Sequence, residues 1–403
     1  MNHTNVPDSE ANRVGEGLPA VAARLRRWVI DDALPFWATQ GRDAASGHFH
    51  ETLFPDGKPD LDAPQRIRVQ ARQIYVYAHA HHLGWCAEGA GIALQGFDRL
   101  MQTGRWPART IRTGGFHHVL TGSHEPLDTR RDTYDHAFML LALAWCWRVT
   151  GAARVREALD ETLAFIDAAL TLPYGSLRED DLNTLPRRQN PHMHMFEAML
   201  ALTETGARAD GLQRADKLLG VVLTHCLDVR SGLLGEFFAA DFSLLPGAAG
   251  AITEPGHMAE WVWLLHKRAA MAPLSLPGTD IDTLCAKLLA CATASADTAT
   301  GLLIDEADRQ GHPLKRTRRM WPQTELAKAR LAQAEAGVTG AAEQAAQVLS
   351  RLLTTYVMPA PRGAWLDQFD ANGHLISQRL PASTFYHAFV ACAEASRVAL
   401  LQN

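Results

Sequence analysis

From Leu18 to the C-terminus, apolar positions recur at steps of three and four, the spacing that puts side chains on one face of an α-helix. Ile67, Ala71, Ile74, Ala78 and His82 form one such face. The pattern predicts helices near 18–37, 65–84, 88–103, 129–150, 152–170, 190–206, 208–227, 254–271, 278–296, 319–337, 339–357 and 381–401. Pro191, Pro255, Pro322 and Pro381 fall near helix starts, where a missing N–H costs little.

Turn-rich segments separate the odd helices from the even ones. Five are alike: SGHFHETLFPDGKPDL, TGGFHHVLTGSHEPL, SGLLGEFFAADFSLLP, TGLLIDEADRQGHPL and RGAWLDQFDANGHLI; YGSLREDDLNTLP is a weaker sixth. Each carries a glycine near its start: Gly47, Gly115, Gly175, Gly232, Gly301 and Gly363. Asp56-Gly57 and Asn372-Gly373 predict small β-hairpins. A repeat of about 60 residues with two helices per unit predicts either an open superhelix or a closed ring. The even helices carry polar and aromatic groups at matching places, and the last one is apolar rather than a polar cap, so the ring is expected. The expected fold is all-α: an (α/α)6 barrel with six inner and six outer helices and short β-hairpins on one face. Residues 18–403 form its single domain, after a disordered tail at 1–17.

Composition narrows the function. The chain has 403 residues, is 47% hydrophobic and carries a net charge of -5. No basic stripe marks a nucleic-acid surface. The longest apolar run, Ala137 to Trp147, is far short of the roughly 20 residues of a membrane span. The polar N-terminus lacks the order of a secretory signal. The six cysteines sit inside helical patterns without C-x-x-C spacing, as buried thiols in a reducing compartment would. These features predict a cytoplasmic protein.

The candidate chemistry lies on the even helices. It comprises Arg72; Tyr134 and His136; Asn190 and His194; His257 and Glu260; Trp321 and Glu325; and His387. The series Arg72, His136, His194, His257, Glu325, His387 keeps close to the repeat period, so a ring would aim all six at one cavity. Taken alone, a histidine on an apolar helix is more often a satisfied core residue; recurrence at the repeat period raises the odds for chemistry. Three or four residues separate Asn190 from His194, His257 from Glu260 and Trp321 from Glu325, so each pair shares a helix face. A carboxylate beside an imidazole orients it and favours its protonated form, suited to proton transfer. His192 and His194, two apart, point to different sides of a helix, and no H-E-x-x-H occurs, so no metal site is expected. Nucleotide fingerprints are absent. The run Lys315-Arg316-Thr317-Arg318-Arg319 reads as a solvated loop before a helix.

As an ordered set, QAR at Arg72, N-x-x-x-H at Asn190–His194, PGH-x-x-EW at 255–261, W-P-x-x-E at Trp321–Glu325 and YH at 386–387 resemble the N-acylglucosamine 2-epimerase superfamily. That group includes cellobiose 2-epimerases, mannose isomerases and related aldose–ketose isomerases. The resemblance spans about residues 20–400. It implies the same barrel, no cofactor, His257 and His387 as acid and base, and Arg72 on the sugar oxygens. It also implies a site lined by Tyr134, Asn190, His194, Glu260 and Trp321. The ending STFYHAF is closer to the mannose isomerases. Arg68 departs from relatives that carry an aromatic residue there, pointing to a more polar or charged substrate.

The expected activity is therefore cofactor-free interconversion of a free aldose and ketose, D-mannose and D-fructose first, by histidine acid/base catalysis. The expected partner is a monosaccharide, and the expected assembly a monomer or homodimer. The alternatives are a sugar 2-epimerase of the N-acylglucosamine or cellobiose type, a glycoside hydrolase using Glu260 and Glu325, and a non-enzymatic helical scaffold.

Overall fold

The computed structural model describes residues 16–107, 114–274, 276 and 280–401. Of the expected N-terminal tail, only Glu16 and Gly17 lie among them.

Among the described residues, twelve long helices alternate between an outer and an inner ring. The outer helices are α1 (Leu18–Arg27), α3 (Gly89–Thr103), α5 (Ala153–Phe165), α7 (Gly211–His225), α9 (Ile281–Ala294) and α11 (Ala341–Leu352). The inner helices are α2 (Ile67–His82), α4 (Thr133–Thr150), α6 (Asn190–Glu204), α8 (Pro255–Met271), α10 (Met320–Glu335) and α12 (Ser383–Leu401). Three outer helices run on through a wider π-type segment, at Trp28–Ala33, Ile166–Leu170 and Leu353–Val357, and α1 then continues to Thr39.

The division follows from the apolar pattern. Helix α11 buries Ala345, Ala346, Val348, Leu349 and Leu352 and turns Glu343 and Arg351 outward, as a helix with one apolar face must. Helix α4 is buried from Ala137 to Cys146 with no polar face, as expected of a helix packed on all sides. Asp132 starts α4 by accepting the Asp135 N–H at 3.1 Å, and left-handed Gly151 ends it. Among the described residues, no helix is long and apolar enough to cross a membrane.

Backbone pairing closes the ring. The extended residues before each inner helix pair with the turn segment of the following repeat. Gln65–Arg66 pairs with Val119–Leu120, Asp132 with Asp180, and Arg187–Arg188 with Phe237–Phe238. Thr253 pairs with Ala307, and Arg318–Arg319 with Gln368–Phe369. The sixth pairing, Leu380–Pro381 with Thr52–Leu53, joins the last repeat to the first. The predicted hairpins at Asp56-Gly57 and Asn372-Gly373 form, each with a single bridge across the turn. All six repeat glycines have φ between +68° and +91°, where a Cβ is strained.

A second recurring device ties the inner helices to these segments. The Gln70 side chain accepts the Phe49 N–H and donates to the Phe49 carbonyl; Gln323 does the same at Leu303. His136 accepts the Phe116 N–H at Nε2 and donates from Nδ1 to the Asp132 carbonyl. His192 accepts the Leu177 N–H and donates to the Arg188 carbonyl. These bonds satisfy buried backbone groups that each cost about 1–3 kcal/mol if left bare.

Candidate active site

All six inner helices run in the same direction, so their N-terminal ends gather at one end of the barrel. Arg72, Phe138, His194 and Glu325, each two positions after one of the four ties just described, gather at the barrel axis with Glu260 and His387. This set corrects the sequence-derived series at two places. His136 is the tie itself. At about 100° per residue it faces away from Phe138, toward Phe165 of the outer ring, with both nitrogens bonded to backbone. His257 stands three residues before the axial position that Glu260 fills. It remains at the pocket, nearly one turn closer to the mouth.

His387 belongs to the floor. Its Nδ1 donates to Glu325 Oε1 at 2.7 Å. The other oxygen of Glu325 meets the Lys328 ammonium at 2.6 Å, and Lys328 lies 3.9 Å from Glu260. Lys328, Glu325 and Glu260 are all fully buried. Burial holds the His387 imidazole far below its ordinary value, and the charges of Arg72 and Lys328 add to the effect. It is therefore neutral near pH 7, with its Nε2 lone pair free. Burial raises Glu325 to about 6 even beside Lys328. Burial and then repulsion from Glu325 carry Glu260 to about 7. Among the described residues, neither Glu260 oxygen has a hydrogen-bond partner.

His257 sits under opposite influences. Burial alone would lower it, but Glu254 at 3.8 Å and Glu236 at 3.1 Å carry its pKa to about 10. The expected partner, Glu260, makes no hydrogen bond to it; Glu236 orients it instead, from the turn segment before α8. Nε2 lies 3.2 Å from the Asn190 carboxamide, whose Oδ1 is otherwise buried without a partner. The two ends of a carboxamide are assigned by their hydrogen bonds. Turned so that Oδ1 faces Nε2, Asn190 accepts the second proton of an imidazolium.

Trp321 stands between the two histidines, its ring 5.3 Å from His257 and 5.6 Å from His387. Gly256 makes room for it, since a Cβ there would meet the indole at 2.5 Å. Opposite, the Arg72 guanidinium donates to the Tyr134 hydroxyl at 2.8 Å and lies 4.1 Å over Phe138 and 5.2 Å from Tyr386. His194 donates to Glu197 at 3.0 Å, and Glu197 also accepts a close hydrogen bond from Tyr386. Arg72, His257 and His387 are 5–6% exposed, as groups at the bottom of a narrow opening would be. At the rim, Arg68 is bound to Asp135 at 2.9 Å, so its charge is already met.

Sequence reasoning missed Phe138, Glu197, Glu236, Glu254 and Lys328. Lys328 carried a signal: a lysine one turn after Glu325 on the inner helix, facing the axis with it. Glu236 and Glu254 lie in or beside the turn segment before α8, and only the folded chain shows that they meet His257. Glu236, Glu254 and His257 bring ligand-type atoms within 4.8 Å of one another, as do Glu260, Glu325 and His387. At the first set a divalent ion would have to displace the His257 proton. At the second, Lys328 already supplies the cation.

A profile of the N-acylglucosamine 2-epimerase (GlcNAc 2-epimerase) family matches residues 47–391. The chain is 34% identical to a mannose-6-phosphate isomerase of Rhizobium meliloti (strain 1021), over 94% of this chain and 98% of that protein. Its fold is similar to cellobiose 2-epimerase from Spirochaeta thermophila, with TM-score 0.81, 21% identity, and 96% and 98% of the two chains covered. A crystal structure of D-mannose isomerase matches with TM-score 0.79 and 19% identity, over 98% of this chain and 100% of that one.

Proposed function

Because the chain belongs to the N-acylglucosamine 2-epimerase family, a family of sugar isomerases and epimerases, we propose that it interconverts a free aldose and its ketose, D-mannose and D-fructose first. The observation that carries this reading is a pair of buried histidines on either side of one indole, each held by its own carboxylates: His387 by Glu325, and His257 by Glu236 with Glu254.

In this reading His257 opens the ring. Its Nε2 proton goes to the ring oxygen, and the imidazole so vacated takes the proton of the anomeric hydroxyl, leaving the open aldose and His257 charged again. His387 Nε2 then takes the proton from C2, whose acidity comes from the neighbouring carbonyl. Negative charge moves onto O1, and Arg72 with the converging helix N-termini stabilises the enediolate. Delivery of a proton from His387, exchanged with solvent, to C1, with the O2 proton moving to O1, gives the ketose. The Glu325–Lys328 pair holds His387 in the tautomer that leaves Nε2 unprotonated.

An uncharged substrate is favoured because four described arginines beside the starts of the inner helices are already matched. Arg66 pairs with Glu51, Arg68 with Asp135, Arg188 with Glu179 and Arg319 with Asp305. The hydrolase alternative needs two carboxyl groups flanking a glycosidic bond; Glu260 and Glu325 instead lie together against Lys328 in the floor. The test offers mannose, mannose 6-phosphate, N-acetylglucosamine and cellobiose separately. Fructose formed from mannose is the expected result. Turnover of the phosphate ester alone, or 2-epimers alone, would overturn the reading.

A further inference from the structure

A cavity of about 860 Å³ lies away from the catalytic residues, at the opposite end of the barrel, where the inner helices end. Its size suits a small-molecule site, for which about 300–1,000 Å³ is usual. Trp85, Trp145 and Trp263 wall it, and His79 lies flat on Trp145 at 3.9 Å. Trp145 and Trp263 are each 4% exposed, and among the described residues neither indole N–H meets an acceptor.

We infer that this cavity is a second binding site, for an uncharged, hydroxyl-rich ring compound: a pyranose sugar. The charged groups in its wall cancel. Three cations (Arg26, Lys267, Arg397) face three carboxylates (Glu204, Glu335, Glu394). Lys267 is paired with Glu204 at 2.9 Å, and Arg397 with Glu335 and Glu394. Helix C-termini present unpaired carbonyls and a partial negative charge, which accept hydroxyl donors and repel anions. The half-buried indole face of Trp85 suits the C–H-rich face of a sugar ring, and unpaired indole N–H groups suit its oxygens.

The site is coupled to the other end. Lys328, whose ammonium pairs with Glu325, lies 3.7 Å over the ring of Trp263, which walls the cavity. Tyr75 hydrogen-bonds His79 in the cavity wall and packs 5.5 Å from Tyr386, which bonds Glu197. A ligand that moves Trp263 or His79 therefore acts on the floor beneath His387.

The test uses the full chain labelled with 5-fluorotryptophan and titrated with methyl α-D-mannopyranoside, a glycoside locked in its ring. Fluorine resonances are assigned by Trp→Phe variants. The Trp85 and Trp263 signals should shift saturably with a midpoint of their own, and should still do so in Arg72→Ala. Trp85→Ala should weaken the Trp263 response at least tenfold. Four results overturn the inference: only Trp321 responds; the Trp85 and Trp263 shifts vanish in Arg72→Ala; they respond to choline and not to the mannoside; or they follow protein concentration alone. If the catalytic reading fails but this one holds, Trp321 stays silent while Trp85 moves.

Discussion

Replacing Glu325 with glutamine preserves shape and reverses one hydrogen bond. The native carboxylate accepts the His387 Nδ1 proton at 2.7 Å, which leaves Nε2 as the base. In Glu325→Gln, the amide N–H can donate to Nδ1 and move the ring proton to Nε2, where it blocks proton abstraction. The analogous Asp→Asn change behind a serine-protease histidine costs about 10⁴-fold in kcat. We expect a loss of 10³- to 10⁴-fold here, roughly 4–5.5 kcal/mol at about 1.4 kcal/mol per tenfold. Stability should fall as well, because Lys328 loses its nearer carboxylate. Breaking a buried pair costs about 3–5 kcal/mol, and Glu260 at 3.9 Å recovers part of it. Adding Lys328→Met should restore the melting temperature and leave kcat low. Ketose formation from mannose measures the rate, and circular dichroism the fold. A folded Glu325→Gln enzyme within tenfold of the native rate would refute the reasoning.

His387→Ala and His257→Ala should each abolish turnover while helical circular dichroism is unchanged; near-native rates in either purified variant would remove that histidine from the mechanism. Arg72→Lys should lower kcat about 10²- to 10³-fold, the usual effect of losing an oxyanion donor, in steady-state assays. His136→Ala should lower stability by about 1–3 kcal/mol in thermal melts without changing kcat, and His136→Gln should restore it, since Gln70 and Gln323 already make this tie. On pH, turnover should rise as Glu325 ionises near 6 and fall as His257 loses its proton near 10. Because the His257 pKa is raised on folding, its stabilising contribution is complete below about 6.5 and declines as pH rises to 10. Moving the upper limb of the rate profile by Glu236→Gln checks that assignment.

The repeat was readable because each unit uses the same local chemistry: a left-handed glycine, a tight turn and an apolar inner helix. Closure was only inferable, since the pairing of Leu380–Pro381 with Thr52–Leu53 joins residues more than 300 positions apart. Register was harder. His136 and His257 keep nearly the right spacing, and a two- or three-residue error cannot be seen in gaps of about 60. Yet two residues on a helix reverse the face, so His136 became a backbone tie and Phe138 took the axial place. Sequence neighbours also misled at His257. Glu260 shares its helix face, but His257 leans from the first turn toward Glu236 and Glu254 outside the helix body. Arg68, which suggested a charged substrate, is matched by Asp135 from the next inner helix.

Proton NMR in D2O with mannose as the sole sugar tests the central claim, that the C2 proton passes to His387, exchanges there with solvent, and is replaced by a proton delivered to C1. The account predicts fructose carrying deuterium at C1, absent with His387→Ala. Glucose labelled at C2 without fructose, or mannose recovered unlabelled and unconverted, would contradict it.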